Sequence, residues 1–435
     1  MNYKHKLLRP YQNIHINKMI NILQKQGAAL DGSDTGTGKT YTSIALAKLL
    51  KCKIIALVPK NSISTWQEIA DAFEVPIIAF NYEQYQRGNI ECLRRTEYMQ
   101  TFYDRRGKRK KRRVVKFQWL TDKNDLIVFD EAHRCGSYST LNGKILRFSK
   151  KTNSKILSLS ATITDKATDM YNIGLVLGLF SDWMGFQTWG YNRGITDGHF
   201  GGFDFNASKS NLIKIHNDIY PKYGARMKAS EIPGFPKNNI ISEAYDMESA
   251  VKIQNLYDDI KGIIEITKRI KARQEIELLK VSTMIEMTSD LLAKGHSVCL
   301  FVNFKQTITE LSKKLKTNCI IDGGVAGKNR IKNMRDFQNN KSKIILLNSR
   351  AGGESISLHD TQGGHPRVSI ISPPESAKNL KQVFGRTVRE GTKADYVTQK
   401  IIFCRNTIEE EVAKNLKRKI RNIDMINDGD FGELI

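Results

Sequence analysis

Cysteine is scarce and scattered in this chain of 435 residues. Its six thiols (Cys52, Cys92, Cys135, Cys299, Cys319 and Cys404) form no Cys-x-x-Cys pair, and no histidine stands at ligand spacing from them. That pattern disfavours a zinc ribbon or an iron–sulfur cluster and fits ordinary buried thiols in a reducing compartment. Long apolar runs are missing as well. No stretch of 18 apolar residues exists, so no spanning segment is expected. The opening Met-Asn-Tyr-Lys-His-Lys lacks the apolar core of a signal peptide, so an intracellular protein is expected, with no membrane partner. Acidic residues are in deficit: 45 Asp and Glu face 69 Lys and Arg, giving a net charge of +24 and a pI near 9.6. So large a surplus points to a polyanion, because neutralising phosphates releases condensed counterions.

Forty per cent of the residues are apolar, enough to fill cores, and the length suits two domains rather than one. Short runs rich in Ile, Val and Leu alternate with helical stretches, the pattern of parallel sheets buried on both faces. In the first half, strands are expected at Lys53–Val58, Pro76–Phe80, Leu126–Phe129 and Lys155–Leu159. In the second half they are expected at Val298–Val302, Cys319–Ile321, Lys343–Leu347, Val368–Ile371 and Thr398–Phe403. Residues 221–240 carry Pro221, Pro233, Gly234 and Pro236 and read as a linker. The expected domains are therefore 1–240 and 241–435, with a helix-rich stretch opening the second.

Residues 32–40 read Gly-Ser-Asp-Thr-Gly-Thr-Gly-Lys-Thr, between apolar Ala28-Ala29-Leu30 and an amphipathic helix over Tyr41–Leu50. Small residues let backbone N–H groups close round a phosphate, and the helix N-terminus adds its positive end. Lys39 would reach the β- and γ-phosphates and the Thr40 hydroxyl would ligate Mg²⁺. The strict phosphate-loop pattern asks for glycine where Ser33 stands. The apolar run Leu126–Phe129 then ends in Asp130-Glu131-Ala132-His133. An acid at the C-terminal end of a buried strand sits where parallel sheets bind ligands. Asp130 is read as a second Mg²⁺ ligand, and Glu131 as the group that polarises the attacking water.

With these motifs the sequence resembles superfamily 2 helicases and translocases of the DExH type, and the resemblance runs through nearly the whole chain. It implies two tandem RecA-like α/β domains with an ATP cleft between them. Family motif I commonly has a small residue at the Ser33 position. Leu8-Arg9-Pro10-Tyr11-Gln12 resembles the adenine-recognition element, with Gln12 reading the base edge. Val58-Pro59-Lys60 through Trp66 falls at motif Ia, Ser160-Ala161-Thr162 at motif III, Phe301–Phe304 at motif IV and Asn348–Ser355 at motif V. Gln382-Val383-Phe384-Gly385-Arg386-Thr387-Val388-Arg389 fits motif VI. Two arginines three residues apart on a helix share a face and could reach the γ-phosphate as fingers. The resemblance thus implies catalytic roles for Lys39, Asp130, Glu131, Arg386 and Arg389. Nucleotide contacts are implied at Gln12, Ser33, Thr35, Gly36, Thr37, Gly38, Lys39, Thr40, His133, Gly353 and Gln382. Nucleic-acid contacts are implied at Lys60, Trp66, Asn303 and Arg350.

The motif dialect, Val58-Pro59-Lys60-Asn61-Ser62-Ile63-Ser64-Thr65-Trp66 with Arg350-Ala351-Gly352-Gly353, looks like chromatin-remodeller relatives and phage or large-DNA-virus branch-migration helicases; it does not look like DEAD-box RNA helicases, whose motif II ends in Asp rather than His. The expected function is an ATP-dependent DNA helicase acting on forked and branched DNA in replication, recombination or repair. The expected form is a minimal, monomeric motor, in the host cytoplasm if phage-encoded. The alternatives are a duplex translocase that does not separate strands, an RNA helicase, and a non-catalytic nucleic-acid-binding protein. One segment stands outside the motifs. Arg105–Arg113 reads Arg-Arg-Gly-Lys-Arg-Lys-Lys-Arg-Arg, flanked by Tyr103, Phe117 and Trp119. A basic hairpin over about residues 98–119, turning near Gly107, would offer Arg109, Lys110, Lys111 and Arg112 to a backbone and its aromatics to bases; the other readings are a solvated loop or, in a eukaryotic host, an import signal. Trp183 and Trp189 read as either core or a strand-separating wedge.

Overall fold

A computed structural model describes residues 6–103, 107–199, 202–260, 265–325, 327–349 and 356–429. The chain divides into two compact units. One comprises Met1–Asp34, Gly38–Met227 and Asn422–Phe431, and the other Thr35–Thr37, Lys228–Arg421 and Gly432–Ile435.

In the first unit the strands are β1 (Ala28–Asp31), β2 (Lys53–Val58), β3 (Ile77–Asn81), β4 (Leu93–Tyr103), β5 (Arg109–Trp119), β6 (Asp125–Asp130), β7 (Lys155–Leu159), β8 (Ile195–Asp197), β9 (Phe203–Phe205) and β10 (Gly224–Ala225). Six of them form an all-parallel sheet in the order β10-β1-β7-β6-β2-β3. Continuous apolar runs are needed because both faces are covered. In β2, Ile55 and Leu57 join one core cluster while Ile54, Ala56 and Val58 join the other. Helices α1 (Pro10–Gln26), α2 (Lys39–Leu50) and α3 (Ile63–Ala72) supply the second cluster through residues such as Met19, Leu46 and Ile69. The opposite face is covered by helices that include Leu141–Ser149, Tyr171–Leu177 and Lys209–Ile219.

Strands β4 and β5 pair antiparallel over their full length, from Leu93–Trp119 out to Tyr103–Arg109, and Gly107 takes a φ of 74° beyond them. The basic hairpin therefore forms, but two of its flanking aromatics are not platforms for bases. Phe117 and Trp119 are buried with Leu93 in the core, and Trp119 Nε1 donates to Ile145 O at 3.1 Å. Period-two alternation at the ribbon root faces these rings inward. Of the tryptophans at 183 and 189, the second belongs to packing and the first is 37% exposed. Trp189 is buried with its Nε1 donating to Asp218 Oδ2, and Trp183 packs against Tyr138, Tyr171 and Phe186.

The second unit holds β11 (Lys237–Tyr245), β12 (Ser297–Val302), β13 (Ile320–Ile321), β14 (Ile344–Asn348), β15 (Arg367–Ile371) and β16 (Tyr396–Cys404). They form another all-parallel sheet, in the order β11-β16-β15-β12-β14-β13. Two strands occupy the stretch that reads as linker. β10 lies wholly within residues 221–240, and β11 starts at Lys237. Both are edge strands, where pairing to one formed neighbour outweighs proline- and asparagine-rich local composition. Helices Ala250–Ile260, Ile266–Leu279 and Val281–Ala293 fill the helix-rich stretch that follows. The two units are thus RecA-like α/β sheets flanked by helices. Among the described residues, no helix is long and apolar enough to cross a membrane.

The helix Glu409–Asp428 begins in the second unit, but its residues from Asn422 onward belong to the first. There Met425 and Ile426 are fully buried in the core, and Asn427 Nδ2 donates to Ala161 O at 2.8 Å.

The ribbon root is part of the core, so Trp119→Ala is expected to cost about 3–5 kcal/mol. Met99→Ala, at a side chain 60% exposed on the same ribbon, should stay within about 0.5 kcal/mol. Urea midpoints of the two variants against the parent check this. Equal midpoints would show that the ribbon is not anchored through Trp119.

Candidate active site

Three adjacent parallel strands, β1, β7 and β6, deliver their C-terminal loops to one edge of the first sheet. After β1 the chain must turn from sheet into helix within a few residues. Gly36 and Gly38 do this with φ values of 82° and 91°. A Cβ on Gly38 would also collide with Gln12 Nε2, so glycine is needed there for space as well as conformation. Ser33 is fully buried. Its N–H donates to Asp31 Oδ1 at 2.9 Å and its Oγ accepts from Met227 N at 2.9 Å. A glycine would lose that second anchor, which gives the serine a physical reason. Lys39 Nζ donates back to Ser33 O at 2.8 Å and Asp34 O at 3.0 Å. A charged phosphate is a stronger acceptor than these neutral carbonyls and would draw the ammonium across. Thr40 is the second residue of α2, half-buried.

Gln12 is buried, and its Oε1 accepts from Arg9 N at 2.8 Å in a capping box at the start of α1. Helix capping therefore fixes this amide beside the phosphate loop. Beneath the loop lies a pair that the motifs did not flag. His15 Nε2 stands 3.0 Å from Asp31 Oδ2, both side chains 3% exposed. Burial alone would raise the Asp31 carboxyl, but His15, then Lys39 and Ser33, hold it below the ordinary carboxylate range.

At the end of β6, Asp130 is held from three directions. Its Oδ2 accepts from Trp66 Nε1 at 3.2 Å, its Oδ1 from Glu131 N at 3.0 Å, and its carbonyl from Tyr82 Oη at 2.6 Å. Burial and the neighbouring Glu131 raise the carboxyl to about 7, against the opposing pull of the Trp66 indole and Lys39. A carboxylate so short of compensating charge suits a divalent cation, which Thr40 and Asp130 would share with phosphate oxygens and water. Glu131 takes the left-handed conformation, φ 56°, and ends the strand. Its Oε2 lies 3.4 Å from His133 Nδ1, which is 3.1 Å from Ser160 Oγ; that oxygen accepts from Thr162 N at 3.2 Å. One chain of polar contacts thus runs from the motif II acid into motif III.

Trp66 requires correction as a strand contact. It is 1% exposed, and its indole is spent on Asp130, so it positions the acid from inside the core. Asn303 is half-buried and bonded within its own unit. Its Nδ2 donates to Glu277 Oε2 at 2.8 Å and Pro373 O at 3.2 Å, and its carbonyl accepts from Asn348 Nδ2. These bonds make it a latch between strand ends. Lys60 is exposed in a short 3₁₀ turn after β2, and Arg109, Lys110, Lys111 and Arg112 are exposed on β5.

In the second unit Gln382 is buried on helix Ala377–Phe384. That helix stops before the arginines, so Arg386 and Arg389 sit on the following turn rather than on a helical face. Leu358 N donates to Arg386 O at 2.8 Å, and Arg389 Nε donates to Gly385 O at 2.9 Å. The Arg386 side chain is 3% exposed. Arg350 and Gly353 lie outside the described residues.

Two outcomes follow from Asp130. Trp66→Phe removes a donor that favours the ionised carboxyl, so the acid limb of the ATPase pH profile should move upward. A superimposable profile would show that the indole does not support the acid. The carboxyl is raised from 3.8, so the folded state holds a proton that the unfolded state releases. Stability is accordingly lost as pH rises through that interval. Asp130→Asn should therefore raise the melting temperature of the nucleotide-free protein increasingly between pH about 4 and about 7, with a constant gain above. A gain independent of pH would refute the linkage.

The family model of the type III restriction enzyme res subunit matches residues 5–165, and that of the helicase conserved C-terminal domain matches residues 279–391. A relative from Acanthamoeba polyphaga mimivirus bears the provisional name ATP-dependent RNA helicase L364. It is 33% identical over 461 residues, covering 98% of this chain and 84% of its own length. Mouse chromodomain-helicase-DNA-binding protein 1-like is 22% identical over 97% of this chain, and the Saccharomyces cerevisiae ISWI chromatin-remodeling complex ATPase ISW1 is 19% identical over 95%. The chain spans 50% and 40% of those two proteins. Among solved structures, the Sulfolobus solfataricus SWI2/SNF2 ATPase core in complex with double-stranded DNA aligns with 97% of this chain and 93% of its own, at 19% identity and a TM-score of 0.39. With a helicase model on the second half and a relative at 33% identity matched over 84% of its length, this chain belongs to the superfamily 2 helicase-like motors.

Proposed function

We propose that the chain is an ATP-driven DNA motor that unwinds or remodels forked and branched DNA in replication, recombination or repair. One observation carries the catalytic half of this reading. The phosphate loop with Lys39 and the acid pair Asp130–Glu131 stand at the same edge of one parallel sheet, and His133 and Ser160 connect that edge to motif III.

In this reading the N–H groups of residues 35–38 and the N-terminus of α2 receive the phosphates, and Lys39 leaves its carbonyl partners for the β- and γ-oxygens. Thr40 and Asp130 would hold Mg²⁺, which neutralises charge on the transferred phosphoryl group. Glu131 orients and polarises the attacking water, while His133 holds the Glu131 side chain in place. Arg386 and Arg389 are the proposed fingers on the γ-phosphate, a contribution of roughly 10³–10⁵ in rate in comparable phosphoryl transfers. Gln12, Gln382 and Gly353 are proposed as nucleotide-sensing positions, and Lys60 and Arg350 as backbone contacts. Loss of the γ-phosphate reaches Ser160 through His133, so grip on the strand can alternate with nucleotide state.

The basic ribbon described above supports a nucleic-acid partner; the mouse relative carries DNA binding in its name and the mimivirus relative RNA helicase. Lys39→Ala and Glu131→Gln should each abolish nucleic-acid-stimulated ATPase while leaving nucleic-acid binding close to that of the parent. Unchanged turnover in either variant would overturn the motor. ATPase and strand displacement measured on single-stranded DNA, duplex, fork, four-way junction and RNA then separate the readings. Displacement on forks and junctions supports the proposal, ATPase on duplex without displacement indicates a translocase, and activity confined to RNA overturns the DNA assignment.

A further inference from the structure

The β4–β5 ribbon has two unlike faces. Register places Arg95, Glu97, Met99, Thr101 and Tyr103 of β4 on one face, with Val115, Arg113, Lys111 and Arg109 of β5. That face is closed at the root by the core contacts of Leu93, Phe117 and Trp119. Further out, Glu97 binds both Arg95 and Arg113, which ties up the cations nearest the body of the unit. The second face presents Arg94, Thr96, Tyr98, Gln100 and Phe102 opposite Gln118, Lys116, Val114, Arg112 and Lys110. No acidic residue occupies it among the described residues.

On this second face the cations are organised by the rings. Arg112 lies over Phe102 at 5.3 Å and Lys116 over Tyr98 at 5.0 Å. Arg112 is further fixed by Gln100 Oε1 through Nε at 3.0 Å and Nη2 at 2.9 Å. Lys110, Arg112 and Lys116 therefore form a row along one edge of β5, with Val114 between the last two, so that the gaps are roughly 6.6 Å and roughly 13 Å. Holding a long cationic side chain over a ring lowers the entropy that it loses on meeting a phosphate.

These features decide among nucleic acids. A single strand is gripped by bases stacking on open aromatic faces, but here Tyr98 and Phe102 already carry the protein's own cations. The face is built for a backbone. The six register pairs from Tyr98–Val114 to Tyr103–Arg109 extend roughly 20 Å at about 3.3 Å per residue. A two-stranded ribbon fits the major groove of B-form DNA, whereas the major groove of A-form RNA is too deep and narrow for side chains to enter. We infer that the β4–β5 ribbon is a duplex-DNA clasp that lies along the major groove with the Lys110–Arg112–Lys116 row on one phosphate strand. This deepens the proposed function and rests on its nucleic-acid half alone.

The test compares the full-length parent with Lys110→Ala/Arg112→Ala/Lys116→Ala and with the other-face control Arg109→Ala/Lys111→Ala. Fluorescence anisotropy without ATP gives affinity against salt for a blunt DNA duplex, single-stranded DNA and an RNA duplex. Three phosphate contacts predict that the triple variant's slope of log K against log salt on duplex DNA shrinks by about 2.7. Its slopes on single-stranded DNA and RNA duplex should match the parent's, and the control should shift the duplex slope by less than about 1. Thermal melting equal to the parent's verifies that the triple variant is folded. A parental slope on duplex DNA overturns the clasp. Equal losses on single strands or RNA overturn the duplex-DNA assignment, and an equal loss in the control overturns the choice of face. The readout needs no turnover, so a parent lacking stimulated ATPase would overturn the motor and leave the clasp standing.

Discussion

A carboxylate kept out of water at the end of β6 is the constraint around which the first unit is arranged. Asp130 can be ionised there only at a cost, and its surroundings reduce that cost without removing it. Trp66 reaches it from α3 and Lys39 acts from α2, while Tyr82 holds its backbone. Three connections that follow different strands are thereby committed to a single residue. Preorganised polar groups around a charge-deficient site spend folding stability on a function realised only when a cation and phosphates arrive.

The second unit solves a comparable problem with a different acid. Glu277, buried on helix Ile266–Leu279, accepts from the backbone N–H groups of Asn303 and Phe304 and from the Asn303 side chain. Lys280, one turn further on, pairs with Glu409 at 2.8 Å with both side chains 2% exposed, and Glu409 also accepts from Cys404 N. Buried charges are tolerated in both places because each is supplied with several donors or a counterion. The ends of β12 and β16 are consequently fixed by side chains rather than by loop composition.

The parallel strands were legible because apolar runs such as Ile54–Val58 and Leu126–Phe129 must serve two cores. The meeting of Lys39 with Asp130 and Glu131 at one sheet edge was legible because glycine spacing and an acid after an apolar strand mark the ends of parallel strands. Direction of side chains was not legible. Trp66 stands at a motif position associated with strand contact, yet the α3 face on which it lies turns inward. Arg386 and Arg389 have helical spacing, but the helix ends at Phe384. His15 and Asp31 meet across α1 and β1, a pairing that no local pattern announces. Phe117 and Trp119 sat beside a basic run and looked like its partners, whereas period-two alternation sent them into the core.

The segment Asn422–Asp428 places Met425 and Ile426 inside the first unit's core and Asn427 on the Ala161 carbonyl of motif III. Its order in the chain has a consequence for synthesis. Domains commonly fold as units while the chain emerges from the ribosome. Here the first unit cannot close its own core until the second has been made. A nascent chain would carry an unfinished apolar surface throughout translation of residues 228–421, and the motif III environment would be completed only after the second unit has been made.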